Sequence, residues 1–246
     1  MLGPELEKYG PNVKVTLIAI VLGSLFSVPF WFGAKEANNR TGWAIFSAVV
    51  GFFVLLVAQL LSSRASLHVD GIYYSSIFGR KEMRWVEVER FRCGSHQVYA
   101  QHIPLGAFHQ LKLIDEHGHK ISLGDRIGRT AQLAEKLSQL TFEPLMQKAT
   151  HYFDSGAELD FGAIHLSRAD GLTINRWFRS KRIPWQELVS CHLGTGDTWN
   201  TEKFSITHVG KKLPQTQSIP LERLYNAPVL LALVNRTLSP ETSRRR

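Results

Sequence analysis

The stretch DGIYYSSIFGRKEMRWVEV, residues 70–88, recurs 100 positions later as DGLTINRWFRSKRIPWQEL, residues 170–188. The two copies match at the Asp-Gly pair, at a phenylalanine and a lysine, and at an apolar residue followed by Trp-x-Glu and a second apolar residue. The matched positions are Asp70, Gly71, Ile72, Phe78, Lys81, Met83, Trp85, Glu87 and Val88, against Asp170, Gly171, Leu172, Phe178, Lys181, Ile183, Trp185, Glu187 and Leu188. A repeat at fixed spacing indicates repeated structural units, and two copies are too few for a solenoid, so we predict tandem domains.

Two long apolar stretches precede the first copy. Residues 13–33 carry one charge, Lys14, and residues 42–61 carry none. Because a bilayer core of ~30 Å needs ~20 apolar helical residues, each stretch is predicted to span, and the short loop at 34–41 makes them a hairpin. The alternatives are a cleaved signal peptide for the first stretch and buried core helices for both. The first apolar run exceeds the ~7–15 residues of a signal peptide, and a second run follows at once.

The basic residues around the two stretches predict their orientation. Lys8 and Lys14 lie at the N-terminal flank, and Arg64 heads the longer basic flank after the second stretch. Since cytoplasmic flanks carry an excess of Lys and Arg, both termini are expected in the cytoplasm. Trp31 and Trp43 flank the loop, as in an interfacial aromatic belt.

The remaining sequence predicts strands followed by a helix, and this order occurs twice. Each Asp-Gly pair predicts a hairpin with a two-residue type I′ turn, in which both central residues have positive φ. In the first copy a hairpin follows over 111–123, then a helix over about 127–152, bent or broken near Pro144. The second copy repeats this order and closes with a helix over about 227–238. We therefore expect an α+β fold with these segments: residues 1–63, tail and membrane hairpin; 64–155, first domain; 156–238, second domain; 239–246, disordered basic tail.

A Gly-Ile/Leu turn, a basic segment and then Ile/Met-x-Trp-x-Glu-Val/Leu resemble the bacterial pleckstrin-homology-like domains, which are often tethered to transmembrane helices. Residues 159–162, 183–188 and 219–220 resemble an uncharacterised branch of membrane-anchored proteins with such domains in tandem. The likeness covers residues 64–93 and 158–238. It implies a bent antiparallel sheet capped by a C-terminal helix, a location in the bacterial inner membrane, no enzymatic activity and no settled ligand. Trp85 and Trp185 would be core or hinge aromatics.

Basic residues cluster at the same place in both copies. The resemblance implies a loop that commonly holds anionic headgroups here. The candidate residues for binding lipid or a partner are Arg80, Lys81 and Arg84 in the first copy and Arg176, Arg179, Lys181 and Arg182 in the second. A solvated turn with ordinary charges and a protein partner remain alternatives. Nucleic acid is disfavoured because the segments lack interleaved aromatic residues.

No catalytic, cofactor or metal signature is expected. The segment 124–130, Gly-Asp-Arg-Ile-Gly-Arg-Thr, has three residues between its glycines and lacks the lysine of a phosphate loop. Five histidines lie between His96 and His119, with Cys93 as their only nearby thiol, so solvated turn histidines are favoured over a zinc site. Cys93 and Cys191 follow the repeated stretches at similar points, which predicts a buried strand thiol in each copy.

These observations favour a membrane-anchored cytoplasmic binding or scaffold protein that presents two modules to a protein partner or to anionic lipid. A membrane-bound enzyme of unrecognised type is one alternative. Another is a membrane-organising protein that acts through oligomerised helices, for which Gly23-Ser24 and Ser47-Ala48 offer small contact residues.

Overall fold

The computed structural model describes residues 2–37, 40–100, 103–176, 179–195, 202–210 and 213–244. The chain divides into two compact units. One is Met1–Arg84 with Leu123–Leu133, and the other is Trp85–Ser122 with Ala134–Arg246.

Two long helices, α1 (Val13–Ala37) and α2 (Arg40–Ser62), confirm the two apolar stretches as helices that could cross a membrane. Only 11% and 6% of the residues in their apolar windows are buried, whereas a core helix would be mostly buried. The helices pack closely where Gly23 lies against the ring of Phe53, which stacks on Phe26 at 6.5 Å.

The first sheet has four antiparallel strands: β1 (Glu5–Tyr9), β2 (Arg64–His68), β3 (Gly71–Ser76) and β4 (Gly79–Arg84). β1 precedes α1 in the chain, and β2 follows α2, yet the two strands pair, with Lys8 opposite Ser66 and Tyr9 opposite Ala65. The helical hairpin is therefore inserted between two neighbouring strands. β1 is not predicted from the sequence, because its charged residues carry little strand signal.

The glycine-containing segment 124–130 holds the chain at its entry into α1. Asn12 N donates to the carbonyl of Arg126 at 2.8 Å, and Gly128 N donates to the carbonyl of Gly10 at 2.8 Å. Arg129, in the left-handed region with φ 58°, donates to the carbonyl of Lys8 at 3.1 Å. The segment is a turn, and its backbone amides and carbonyls form hydrogen bonds that fix the N-terminal strand.

The first copy continues with a short 3₁₀ helix, Trp85–Glu87, and the three-stranded sheet β5 (Val88–Ala100), β6 (Ile103–Asp115) and β7 (Lys120–Gly124). Helix α3 (Thr130–Asp154) follows. The sequence predicted a bend or a break near Pro144. The prediction of a break was wrong, since the helix is continuous. Buried Leu137 and Leu145 on either side anchor it, and such packing outweighs a cost of ~3 kcal/mol for an internal proline.

The second copy has the same order. Strands β8 (Leu159–Asp160), β9 (Ile164–Ser167), β10 (Gly171–Arg176) and β11 (Arg179–Ile183) form a four-stranded antiparallel sheet. A 3₁₀ helix, Trp185–Glu187, leads to the three-stranded sheet β12 (Leu188–Thr195), β13 (Glu202–Val209) and β14 (Pro214–Pro220). Helix α4 (Ala227–Arg244) closes the chain. The predicted disordered tail was wrong over 239–244, which continue the helix; residues 245–246 lie outside the described residues.

The Asp-Gly pairs do not form the predicted type I′ turns. Neither Asp70 nor Gly71 has positive φ, and in the second copy Gly171 has a φ of 94° but Asp170 is not left-handed. The glycines are required for another reason. A Cβ on Gly71 would collide with the carbonyl oxygen of Met83, and one on Gly171 with that of Ile183. The repeated glycine thus allows close approach to the neighbouring strand at the same point in both copies.

The two repeated tryptophans begin the two 3₁₀ helices, at equivalent points in the copies. Trp85 is 5% exposed and belongs to the core, as predicted. Trp185 is half-buried. Its indole N–H donates to the carbonyls of Ser167 at 3.1 Å and Arg168 at 2.9 Å, and its ring meets Phe153 edge-on at 6.3 Å.

Candidate functional site

One polar face of the first sheet gathers basic side chains close to the end of α2. Strand side chains alternate between two faces, and Ala65, Leu67, Ile72 and Met83 are buried on one of them. We call the other the outer face. Its residues are Glu5, Lys8, Arg64, Ser66, His68, Tyr73, Ser75, Arg80, Glu82 and Arg84, and seven of them line a depression of about 440 Å³.

In the row of the outer face nearest α2, every charged side chain is cationic. Ser75 pairs with Arg64 on one side and with Arg80 on the other, so two guanidinium groups flank one hydroxyl. Cross-strand neighbours have Cβ atoms ~4.5–5.5 Å apart, within reach of a shared small anion. Arginine forms bidentate hydrogen bonds with phosphate oxygens, and a serine hydroxyl adds a donor. This row can therefore bind a phosphate group.

The next rows of the outer face mix charges. Lys8, Ser66, Tyr73 and Glu82 follow one another across the four strands. Farther from the helices lie Glu5 and His68, which are paired, and His68 Nδ1 lies 3.1 Å from the carbonyl oxygen of Gly3. The carboxylates are thus confined to the rows away from α2, and positive charge dominates the row beside it.

The structure assigns the first predicted basic group to strand β4, so the prediction that these residues lie in a loop was wrong. Arg80 and Arg84 project from the outer face, whereas Lys81 lies on the same side of β4 as buried Met83. Arg80 is exposed, and within the described part of the chain no ion pair involves it.

The second basic group lies on strands β10 and β11, and two of its members are engaged within the second copy. Arg182 forms an ion pair with Asp170. Lys181 Nζ lies 3.0 Å from Nε2 of buried His208, a contact that ties β11 to β13. Arg179 is exposed. The side chain of Arg176 and the whole of residues 177–178 lie outside the described residues. The two basic groups belong to different compact units.

Other polar clusters have structural roles. Asp115 accepts hydrogen bonds from the amides of His117 at 2.9 Å and His119 at 2.7 Å and contacts His119 Nδ1 at 2.7 Å, closing the β6–β7 turn. Burial raises the pKa of the Asp115 carboxyl, but the bonds from His119 and His117 outweigh it, and the pKa lies below its usual value. Within the described ranges no cluster of three potential metal ligands occurs.

Both cysteines lie on strands, and burial shifts the pKa of each thiol. Cys191 is buried in β12, Cys93 is half-buried in β5, and neither forms a disulfide. Burial raises the pKa of Cys93 to about 11 and that of Cys191 to about 12. The predicted strand positions are confirmed, and the predicted burial holds fully for Cys191.

Sequence reasoning missed Lys8, Ser66 and Tyr73 as members of one face, and it used Arg64 only as a flank charge. The available signal was the alternation of polar residues at 64, 66 and 68 and at 73 and 75. The missing information was the pairing of β1 with β2, across an insertion of two helices. Without it, Lys8 could not be assigned to the sheet.

Comparisons with known proteins identify a family. A search of curated proteins found no match. A model of a family of unknown function matches residues 1–243. This match covers both helices, both copies of the repeat and nearly all of α4. The chain belongs to the family of unknown function DUF6585.

Proposed function

We propose that the chain is a membrane-anchored binding protein in which α1 and α2 span a bilayer and two pleckstrin-homology-like modules lie on its cytoplasmic side. The fold part of the proposal is supported by the order of elements in each copy. A four-stranded antiparallel sheet, a 3₁₀ helix, a three-stranded antiparallel sheet and a helix occur twice. The first module takes its first strand from the segment before the helices.

The proposal that α1 and α2 form a membrane anchor with both ends on one side is supported by the pairing of β1 with β2. Because these strands flank α1 and α2 and are hydrogen-bonded to each other, both ends of the helical hairpin lie on one side of the bilayer. The basic flanks favour the cytoplasmic side, and a bacterial inner membrane is the proposed location. Reporter fusions in the loop at residue 39 and at Arg246 test this. An active periplasmic reporter at Arg246 would show that the orientation is the reverse of the proposed one.

The proposed ligand of the outer face is the phosphate of an anionic lipid headgroup. Arg64 begins β2 two residues after the end of α2, so its side chain lies near the bilayer surface in this orientation. Ser75 and Arg80 complete the cationic row. Each cation near an anionic leaflet contributes ~1 kcal/mol. The groups brought together are hydrogen-bond donors, which suits binding rather than catalysis, and no cofactor is part of the proposal.

The lipid proposal is tested by native mass spectrometry of the full chain released from nanodiscs that contain phosphatidylglycerol and phosphatidylcholine. Charge reversal at Arg64 or Arg80 (R64E, R80E) should lower the number of retained phosphatidylglycerol molecules several-fold. The matched control is K136E, which makes the same charge change on an exposed residue of α3. Equal retention by R80E and K136E would refute headgroup binding and favour a protein partner for this face.

A further inference from the structure

The turn between β3 and β4 exposes two apolar side chains. Ser76 pairs with Gly79, so Ile77 and Phe78 form the turn itself. Ile77 is 42% exposed and Phe78 is 82% exposed, more than any other large apolar side chain among the described residues. Phe78 N donates to Ser76 Oγ at 3.2 Å, so the turn has a defined local structure.

The strand register brings this turn to the level at which α2 ends. β2 leads away from α2, and β3 returns antiparallel to it, with Ser75 opposite Arg64. Residues beyond Ser75 therefore run past the start of β2 toward the helix. Ile77 N donates to Ser62 Oγ at 3.0 Å, and Ser62 is the last residue of α2.

The apolar surface of α2 reaches the same level. Leu61, next to Ser62, is 50% exposed. In a spanning helix, the boundary between acyl chains and headgroups falls where the exposed apolar surface ends. Phe78 is one residue from an amide bonded to that end, and Arg80 is two residues farther along β4, opposite Ser75.

We infer that the β3–β4 turn is a third membrane contact of this chain. Ile77 and Phe78 enter the boundary between headgroups and acyl chains beside α2, and Arg64 and Arg80 lie at the depth of the lipid phosphates. An apolar tip below basic side chains is the pattern of a segment that binds a membrane interface. This inference rests on the proposed function, because it requires α2 to span.

A fluorescent depth measurement tests the inference in the full chain. Phe78 is replaced by cysteine (F78C), labelled with an environment-sensitive fluorophore, and reconstituted into vesicles of phosphatidylcholine and phosphatidylglycerol that carry a nitroxide on acyl carbon 5. V69C is the matched negative control, since Val69 is 46% exposed in the β2–β3 turn at the other end of the same strands. V54C, in the middle of α2 and 61% exposed, is the positive control. Wild-type chain labelled in parallel gives the background from Cys93 and Cys191.

The inference predicts that the nitroxide lipid quenches F78C at least about threefold more than V69C, with a blue-shifted emission for F78C only, because only F78C lies in the interface. If F78C and V69C are quenched equally while V54C is quenched, the membrane contact of the turn is refuted and the proposed membrane anchor is retained. An unquenched V54C would refute the anchor itself and the inference with it. Phe78 is largely exposed, so its replacement removes little packing.

Discussion

Asn226 offers a sharp test of how the second compact unit is held together. It precedes α4, and both polar atoms of its side-chain amide bind β5. Oδ1 accepts from Phe91 N at 2.7 Å, and Nδ2 donates to the carbonyl of Glu89 at 2.8 Å. Its own backbone N–H donates to the carbonyl of Phe91 at 2.7 Å. A strand of the first copy is thereby joined to the closing helix of the second.

The cost of losing this side chain follows from its bonds and its backbone. Each hydrogen bond contributes ~0.5–1.5 kcal/mol net. Asn226 also has φ 50°, and the left-handed region costs ~1–2 kcal/mol for a residue such as alanine that has no polar side chain to compensate. N226A should therefore lose ~2–5 kcal/mol, whereas N226G, which accepts this backbone, should lose only the ~1–3 kcal/mol from the bonds.

Thermal unfolding of the full chain in detergent micelles, followed by tryptophan fluorescence, measures the effect. A domain of ~150–250 residues shifts its Tm by ~2–4 °C per kcal/mol, so N226A should melt ~4–20 °C below wild type. N235A, at an exposed position of α4, is the matched control and should melt near wild type. If N226A and N235A have the same Tm, the hydrogen bonds between the Asn226 side chain and β5 do not stabilise the protein. If N226G is as unstable as N226A, the backbone part of the reasoning is wrong.

Three further outcomes are expected. G23L should loosen the packing of α1 on α2, because a Cβ at this position meets Phe53 at 2.8 Å, whereas G33L, with no neighbouring atom within 4 Å, should not. Disulfide cross-linking between engineered cysteines on the two helices measures the packing, and equal cross-linking of the two variants would contradict the prediction. Because the folded pKa values of Cys93 and Cys191 are raised to about 11 and about 12, both thiols should resist alkylation at neutral pH. The stability they contribute should be complete below about pH 8.5 and fall as pH rises toward these values; unchanged stability between pH 8 and 10.5 would contradict the shifts. A chain that starts at Arg64 lacks β1 and should lose the native first sheet, which circular dichroism and limited proteolysis of β2 would detect; an intact protease-resistant sheet would show that β1 is dispensable.

The parts of the fold that sequence reasoning predicted are those set by local pattern. The two apolar stretches, the hairpin over 111–123 and the helices α3 and α4 are all marked by length or periodicity. Each is present, although β6 begins earlier, at Ile103, and α4 continues to Arg244. The repeat also predicted that Trp85 and Trp185 would take equivalent positions, and each begins a 3₁₀ helix. The second copy was likewise predicted to have strands first and a helix last.

The parts that were missed depend on distant pairing. β1 and β2 are separated by about fifty residues of helix, so no local signal connects Lys8 with Ser66. The Asp-Gly pairs were interpreted as turn formers, but Gly71 and Gly171 are constrained by carbonyls on the next strand, which a turn rule does not include. Arg80 and Lys81 were assigned to a loop because the resemblance implied one at this point, although exposed edge strands are often rich in Lys and Arg.

The insertion of the helical hairpin between β1 and β2 limits how the first sheet can move relative to α1 and α2. Only Gly10–Asn12 separate β1 from α1, and they are held by Arg126 and Gly128. Ser63 alone separates α2 from β2, and it is fully buried. Because both connections are short and hydrogen-bonded, the first sheet cannot rotate freely relative to α1 and α2 as a module on a flexible linker would. In the proposed orientation, Arg64, Ser75 and Arg80 are fixed at one depth, and the entropy lost on binding a headgroup is correspondingly small. Lengthening the Ser63 connection with glycine and serine would leave every residue of the outer face in place. It should nevertheless weaken headgroup binding, and unchanged lipid retention would show that position relative to the helices does not matter.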